Sequence, residues 1–522
     1  MKGRPPKRRG TPRGKQAKHV DARRVLDPTA WRKELLAGEI GTIVRDAPLR
    51  VGLCYPLPYR TAMSSLGYQV IYRMLNSRSF IAAERVLLPD DVPLWRERRW
   101  QPVGLETGRP LASFDLLAFS VTYDLDITGF FDLLDLGGVP LLRADRRDTD
   151  PPILLGGPLT ASNPLPFGPF IDLAVIGDGE VAVERLLDIL EGAPDRDAFL
   201  AAAAAVPGVW VPQIHGDRVP AVQKVTTGLP AYGQIVTPAT ELSNMFLVEA
   251  SRGCPRYCKF CLVRAPESPM RESEVERVLA TIPEHAPRVG FVGAAVSEWS
   301  GIREALRRVV AMGKGASVSS LRADRLDEDF VALLAAAGYR SMTIASDAPS
   351  QRLRNTVGKA IREKHLWRAA ELGKQAGMQK VKLYVIVGLP GETDADIDEL
   401  IAFSKALSGL LPTALGVSPL VPKLHTPLGD AEFAGMPLVD ERLHRLRREL
   451  GATVDVRSTS AKWAWVEYRM SQGAEDAGLA ALAAWRAGGG FSAWRDAFEA
   501  VEERGALRAA RQHQLFPAAG MR

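Results

Sequence analysis

The chain has 522 residues, 46% hydrophobic and 25% charged, with a formal net charge of +6. That is the composition of a soluble globular protein large enough for two or more domains. No apolar run reaches the length of a transmembrane helix and no signal-peptide pattern opens the chain, so a cytoplasmic protein without a membrane span is expected; four cysteines, three of them in one loop, exclude a secreted disulfide framework.

The charge is unevenly placed. Residues 1–24 hold ten Lys/Arg and one Asp, which leaves the rest of the chain slightly acidic. This basic segment is expected to be a disordered tail. It is compatible with a nucleic-acid contact, but it lacks the interleaved aromatic residues that stack on bases. A solubilising arm without a specific partner accounts for it equally well.

Residues 25–192 read as an α/β domain. A short buried strand within 48–60 ends in a Pro-punctuated loop, and a helix is predicted over 63–75 with Leu66, Val70, Ile71 and Met74 on one face. Further strands are predicted at 116–121, 153–155 and 173–176, with helical stretches at 129–137 and 180–191. Strands alternating with helices predict a parallel, doubly wound, Rossmann-like sheet, which binds ligands beyond the carboxyl ends of its strands. The unusual residues collect at those ends: Thr122, Tyr123, Asp124, Asp126 and Gly129 after one strand, Gly156, Gly157 and Pro158 after the next, and Gly177, Gly179 and Glu180 after the third. Residues 193–240, with an alanine run at 201–205 and a break at Gly228-Leu-Pro230, read as a linker.

Residues 241–427 follow a second strand–helix pattern. Strands are predicted at 245–250, 289–293, 316–320, 340–345, 381–387 and 414–420, and helices at 302–313, 326–337, 363–376 and 394–407. Six such units fit a partial parallel (βα)6 barrel, whose active site lies at the carboxyl ends of the strands. Directly after the first strand come Cys254, Cys258 and Cys261, in C-x3-C-x2-C spacing. Thiolates are soft ligands suited to iron–sulfur clusters, and three of them leave one iron of a [4Fe–4S] cluster open. Structural zinc takes four N/S ligands, and the seven histidines offer no paired partner motif. Tyr384, in the fifth strand, and His425, after the sixth, are candidates for radical or proton chemistry, each weighed against a plain packing role. Residues 428–522 read as a helical C-terminal domain capping the barrel mouth, with Leu443, Leu446, Leu450, Trp485, Trp494 and Phe498 at core-like spacings.

The cysteine loop, Glu249-Ala-Ser-Arg-Gly-Cys-Pro-Arg-Tyr-Cys-Lys-Phe-Cys261, resembles that of the radical S-adenosylmethionine (SAM) enzymes. The resemblance implies that the open iron binds SAM and that Phe260 packs by the adenine. It further implies SAM contacts from Gly293 and Ser297 after the second strand, from Ser320 and Arg322 after the third, from Asp347 to the ribose, and from Gly388 in the Tyr384–Glu392 motif. Arg352 and Arg354 are candidates for its carboxylate, against a solvated helix start. The N-terminal domain, including Met63-Ser-Ser-Leu-Gly67 and Glu106-Thr-Gly-Arg-Pro-Leu111, resembles the cobalamin-binding domain of cobalamin-dependent radical SAM enzymes, and Val421-Pro-Lys-Leu-His-Thr-Pro427 resembles the sixth-strand ending of that subgroup. One departure stands out. The D-x-H-x-x-G motif that ligates cobalt reads Asp124-Leu-Asp126-Ile-Thr-Gly129 here, so a bound cobalamin is expected to lack a histidine lower ligand.

The family resemblance implies a methyltransferase that passes a SAM-derived methyl group through methylcobalamin to a small-molecule or peptide substrate, by a radical or a polar route. It also implies an external electron donor such as flavodoxin or ferredoxin. A cobalamin-associated radical SAM oxidase, cyclase or rearrangement enzyme is the rival within the family. An RNA- or protein-binding factor with regulatory cofactors is the rival outside it. Cys54 alone does not build a second cluster, which argues against methylthiotransferase chemistry.

Overall fold

Two parallel α/β units are built from the same device, a buried strand followed by an amphipathic helix. The computed structural model describes residues 26–225, 228–265 and 267–503; the basic segment 1–24 lies outside them. The first sheet contains β1 (Leu49–Tyr55), β2 (Ile81–Leu87), β3 (Leu116–Ser120), β4 (Ile153–Gly156), β5 (Leu173–Val175) and β6 (Val209–Trp210). Their order is β2-β1-β3-β4-β5-β6. All pairings are parallel except β5 with β6. The chain steps outward from β1 to β2 and then back across to β3, so the topological switch point lies between the carboxyl ends of β1 and β3.

Strand β2 was not expected from the sequence, because Glu84 and Arg85 interrupt its apolar run. Both are buried. Arg85 is fully enclosed and paired with Glu39 at 2.6 Å and Glu106 at 2.7 Å, which removes the penalty that hides such strands from pattern reading. The expected linker 193–240 also needs correction. Its alanine run belongs to the helix Arg196–Ala204, and β6 closes the sheet edge. The first α/β unit therefore runs to Trp210. The small residues carry little hydrophobic signal, yet they let a helix sit close to its neighbours.

The second unit contains β7 (Met245–Glu249), β8 (Ser251–Arg252), β9 (Arg271–Glu272), β10 (Arg288–Val292), β11 (Gly315–Val318), β12 (Ser341–Ala345), β13 (Lys380–Val387), β14 (Thr413–Pro419) and β15 (Asp455–Ser458). Two parallel sheets, β11-β10-β7 and β12-β13-β14-β15, are joined by a parallel bridge between Leu321 and Ile344. Along β13, Val381, Leu383, Val385 and Val387 enter the core shared with the surrounding helices. Tyr384 and Ile386 consequently face the opposite, inner side, as a two-residue period requires.

Six strands were expected, and β15 makes a seventh in the barrel. The helix Met436–Leu450 is its crossover, not the start of a cap. The sequence Asp-Val-Arg-Ser is too polar to announce a strand. The remaining helices, Ala461–Gln472, Glu475–Arg486 and Phe491–Glu503, share one hydrophobic core with the first sheet. Asn163 Nδ2 reaches the carbonyls of Met470, Ser471 and Gly473, the last at 2.7 Å. A Cβ on Gly478 would lie 1.8 Å from the Pro166 carbonyl oxygen. The C-terminal region thus straps onto the N-terminal domain, and Thr459 with the helix Ala461–Gln472 supplies residues to the cleft described below.

Candidate active site

The cysteine loop is closed at its base by β8 pairing antiparallel with β9. Gly253 makes the closure feasible: its φ is +81°, and a Cβ there would lie 2.3 Å from the Pro269 carbonyl oxygen. Backbone bonds then grip the loop on both flanks. Cys254 N donates to Ser268 O at 2.9 Å, Lys259 N to Val357 O at 2.9 Å, and Leu428 N to Lys259 O at 3.0 Å. Cys258 is buried, while Cys254 and Cys261 are partly so. Burial pushes the thiols of Cys258 and Cys261 up; a soft cation would remove that penalty by binding the thiolates. Among the described residues, no three His, Cys, Asp or Glu side chains are already drawn into a metal cage. The donor chemistry, three sulfurs on one doubly anchored loop, fits an iron–sulfur cluster and not a hard cation. Cys54 is fully buried in β1, in the other domain.

Charged and hydroxyl groups tie the neighbouring strand ends together. Arg256, inside the cysteine loop, pairs with the buried Glu298 after β10. Glu298 also faces Arg322 at 3.5 Å, and Arg322 pairs with Asp324 at 3.0 Å. Ser297 Oγ accepts from Arg322 N at 3.0 Å, and Ser320 Oγ accepts from Val296 N at 2.9 Å. Gly293 donates its N–H to Ser319 Oγ at 3.2 Å, while the same hydroxyl donates to the Gly293 carbonyl at 2.8 Å. Gly293, Ser297, Ser320 and Arg322 are therefore brought to one rim, each with a partner within the protein.

The fourth and fifth strand ends complete that rim. Asp347 adopts φ +57° and pairs with Lys359. Gly388 has φ +76° and donates its N–H to Glu392 Oε2 at 3.0 Å. Arg352 is engaged by Asp396 and by the Gly391 carbonyl at 2.9 Å. Arg354 differs: it is 2% exposed, donates to Ser346 Oγ at 3.1 Å, and its Nε has no hydrogen-bond partner among the described residues. An orphaned buried guanidinium nitrogen beside the rim fits an anionic ligand group.

On the N-terminal side, the loop after β3 is organised by Asp126. Its Oδ2 accepts from Thr122 N at 3.0 Å, Thr122 Oγ1 at 2.9 Å and Tyr123 N at 3.0 Å. The carboxylate at the histidine position of the motif thus holds its own loop at the start of the helix Asp126–Leu136. Gly129 and Gly157 serve backbone packing. Their absent Cβ atoms would meet the Pro56 and Val121 carbonyl oxygens at 2.1 and 2.4 Å. Gly156 leaves open space, its nearest neighbour being the Phe119 carbonyl oxygen at 3.9 Å, and it precedes Pro158, which begins a short 3₁₀ turn.

The third glycine turn has its own partners within the protein. Gly177 abuts the Gln223 backbone, and Glu180 pairs with Arg252 at 2.6 Å. Arg252 also engages Glu249 at 2.7 Å and Asp178 at 3.4 Å. Asp178 and Glu180, which flank Gly179, therefore dock the first domain on the cysteine loop. Three carboxylates converge on one partly shielded guanidinium there, which strengthens each pairing relative to open solvent.

A cleft of about 500 Å³ opens where the units meet. It is lined by Tyr123 from the first domain, Phe260 from the cysteine loop, Ile386 and Ser418 from the barrel, and Lys423 and Glu467. Lys423 Nζ reaches Asp124 at 2.5 Å and Glu467 at 2.7 Å, and Tyr123 OH donates to Glu467 at 2.8 Å. Burial alone would lower the Lys423 ammonium, but the two carboxylates outweigh it and raise it above the ordinary lysine value. Tyr384 and His425 do not line this cleft. Tyr384 lies against Gly416, and His425 is exposed at φ +65° in the loop after β14. Sequence reading missed Lys423, Lys359, Arg252 and Glu467. Lys423 stands inside a segment already singled out, whereas nothing in the local sequence marks Glu467.

Comparison with known proteins adds independent findings. Residues 248–404 match the Radical SAM superfamily profile, and residues 67–212 match that of the N-terminal region of radical SAM proteins. An uncharacterized protein of Methanocaldococcus jannaschii is 28% identical over 393 residues, covering 73% of this chain and 80% of its own length. Among solved structures, the cobalamin-dependent S-adenosylmethionine radical enzyme OxsB, with aqua-cobalamin and S-adenosylmethionine bound, superposes with a TM-score of 0.49 at 15% identity. That match covers 78% of this chain and 58% of OxsB, so the chain spans under two thirds of that protein. SuiB of Streptococcus suis bound to S-adenosylmethionine gives a TM-score of 0.33 at 12% identity, over 55% of this chain and 62% of SuiB.

Proposed function

The chain belongs to the radical SAM superfamily, and we propose that it is a cobalamin-dependent member that transfers a methyl group to a small molecule or peptide. The observation that carries this reading is the cleft in which Tyr123, beyond the switch point of the first sheet, and Phe260, in the cysteine loop, line one space. A methyl carrier and a radical generator must address one substrate, and this is where the two domains meet around a common volume.

In this reading Cys254, Cys258 and Cys261 hold the cluster, and Gly293, Ser297, Ser320, Arg322, Asp347 and Gly388 form the SAM rim. Thr122, Tyr123, Asp124, Gly156 and Pro158 face the cobalamin; Asp126, Gly129 and Gly157 shape the loops that present them. When bound, the cluster supplies an electron for SAM cleavage and cobalamin carries the methyl group. The protein contributes position. Ser319 and Ser320 lock the β10 and β11 ends, Asp126 fixes the loop before its helix, and Phe260 and Ile386 both pack against the apolar cluster that contains Leu420, which keeps one wall of the cleft apolar. The helix Ala461–Gln472 forms another wall of the cleft, to which it supplies Ala464 and Glu467.

Anaerobic purification, reconstitution with iron, sulfide and cobalamin, and a SAM-cleavage assay test this reading. Expected are stoichiometric cobalamin, reductive formation of 5′-deoxyadenosine, and a product heavier by one methylene unit. Cleavage of SAM without retained cobalamin would remove the methyl-transfer reading and leave the radical chemistry standing.

A further inference from the structure

Lys359 and Asp347 form an enclosed ion pair directly behind the cysteine loop. The Lys359 side chain is 10% exposed and that of Asp347 15%. Their place is set by backbone contact. Val357 O accepts from Lys259 N at 2.9 Å, and a Cβ on Gly358 would lie 3.0 Å from Tyr257 O and 4.0 Å from Cys258 Cα. Residues 357–359 thus lie flat against residues 257–259. The Lys359 carbonyl is itself held by Arg322 Nη2 at 3.3 Å. Asp347 is fixed as firmly. It occupies the left-handed backbone region, uncommon for a residue other than glycine, and its N–H donates to Tyr384 O at 2.9 Å. Both partners thus stand on anchored backbone, and the ion pair itself holds the two side chains together.

Charges fixed at low exposure act on their neighbours more strongly than solvated ones. The Lys359–Asp347 pair belongs to a segment in backbone contact with Tyr257, Cys258 and Lys259, so its charges sit beside the ligand loop and not in open solvent. A cluster on these cysteines is anionic, and it gains a further negative charge when it accepts an electron. A nearby ammonium stabilises the reduced form more than the oxidised one, and a nearby carboxylate does the opposite.

We propose that Lys359 and Asp347 are positioning residues that tune the reduction potential of the cluster held by Cys254, Cys258 and Cys261, the ammonium raising it and the carboxylate restraining that rise. This rests on the radical SAM reading of the cysteine loop. A purely structural ion pair would make the two substitutions alike, each leaving one charge unpaired. Tuning makes them opposite in sign.

The test is a redox titration of the reconstituted cluster, followed by electron paramagnetic resonance, in wild type, Lys359→Met, Lys359→Arg and Asp347→Asn. The expected midpoint falls in Lys359→Met, rises in Asp347→Asn and stays near wild type in Lys359→Arg. Unmoved midpoints, or shifts of one sign in both charge-removing variants, overturn the proposal while the cluster assignment stands. If Lys359→Met takes up no iron, Asp347→Asn decides alone and its midpoint must rise. A wild-type protein that assembles no cluster overturns the underlying reading instead.

Discussion

Lys423 Nζ stands 2.5 Å from Asp124 Oδ2 across a sequence separation of 299 residues. The contact joins the loop beyond β3 to the segment after β14, and Glu467 makes it a three-element junction. Its groups are well enclosed, with Asp124 5% and Glu467 13% exposed at the side chain. Lys423→Met would leave two carboxylates facing each other without a cation, a loss of about 3 kcal/mol for a pair broken at such burial. The chemical unfolding midpoint is expected to fall, and to recover most of the difference in Lys423→Met/Asp124→Asn/Glu467→Gln. A single variant as stable as wild type would show that the junction holds nothing.

Asp396 predicts an acid limb. Burial alone would raise its carboxyl, but hydrogen bonds from Ser350, Arg352 and Thr393 outweigh it and hold the pKa at about 2, against 3.8 for the free group. A depressed carboxyl stabilises the fold fully above its unfolded value, and that stability disappears as pH falls through the folded one. Wild type should therefore lose stability between pH 3.8 and about 2. Asp396→Asn should be less stable near neutrality and show a flatter slope in that window. Parallel curves for the two proteins would refute the assignment.

The cysteines are expected to divide three to one. Alanine at Cys254, Cys258 and Cys261 together should abolish iron uptake and the thiolate charge-transfer absorption. Cys54→Ala should keep both and cost only about 1 kcal/mol, the price of one buried atom in a closely packed strand. Iron retained by the triple variant at wild-type stoichiometry would show that the ligands lie elsewhere.

Gly157→Ala is expected to be severe for its size. The residue sits at φ +101°, and the added methyl would meet the Val121 carbonyl oxygen at 2.4 Å. Both the strained backbone and the clash act, so a loss of roughly 2 kcal/mol or more is expected. The displaced Val121 would carry Thr122 and Tyr123 with it, so cobalamin retention should weaken as well. Gly138→Ala is the control for backbone strain alone, since its φ is +70° with nothing within 4 Å of the added atom. Equal losses in both variants would show that the close approach to Val121 is immaterial.

Local pattern was enough for the strand–helix alternation, the two α/β units and the cysteine loop. Those features depend on residue period and ligand spacing, and both are written within a few turns of chain. The same reasoning failed at β2, whose Glu84 and Arg85 look solvent-bound until Glu39, Glu106 and Thr107 arrive to pair them. It failed at β6 and β15, where a two-residue edge strand and a polar four-residue strand exist only because a neighbour offers a free ladder. Nor did it foresee that Glu180 pairs with Arg252 across the two domains.

By itself, then, the sequence determined which chemistry the chain carries, because a C-x3-C-x2-C loop after a buried strand needs no distant partner to be read. Only the tertiary structure decided which charges surround that chemistry. Lys359 meets Asp347, and Lys423 meets both Asp124 and Glu467, through contacts between segments far apart in the chain. Such pairings are set by how two sheets and a C-terminal strap pack, and a charged residue read alone looks the same whether it ends in water or beside a buried partner.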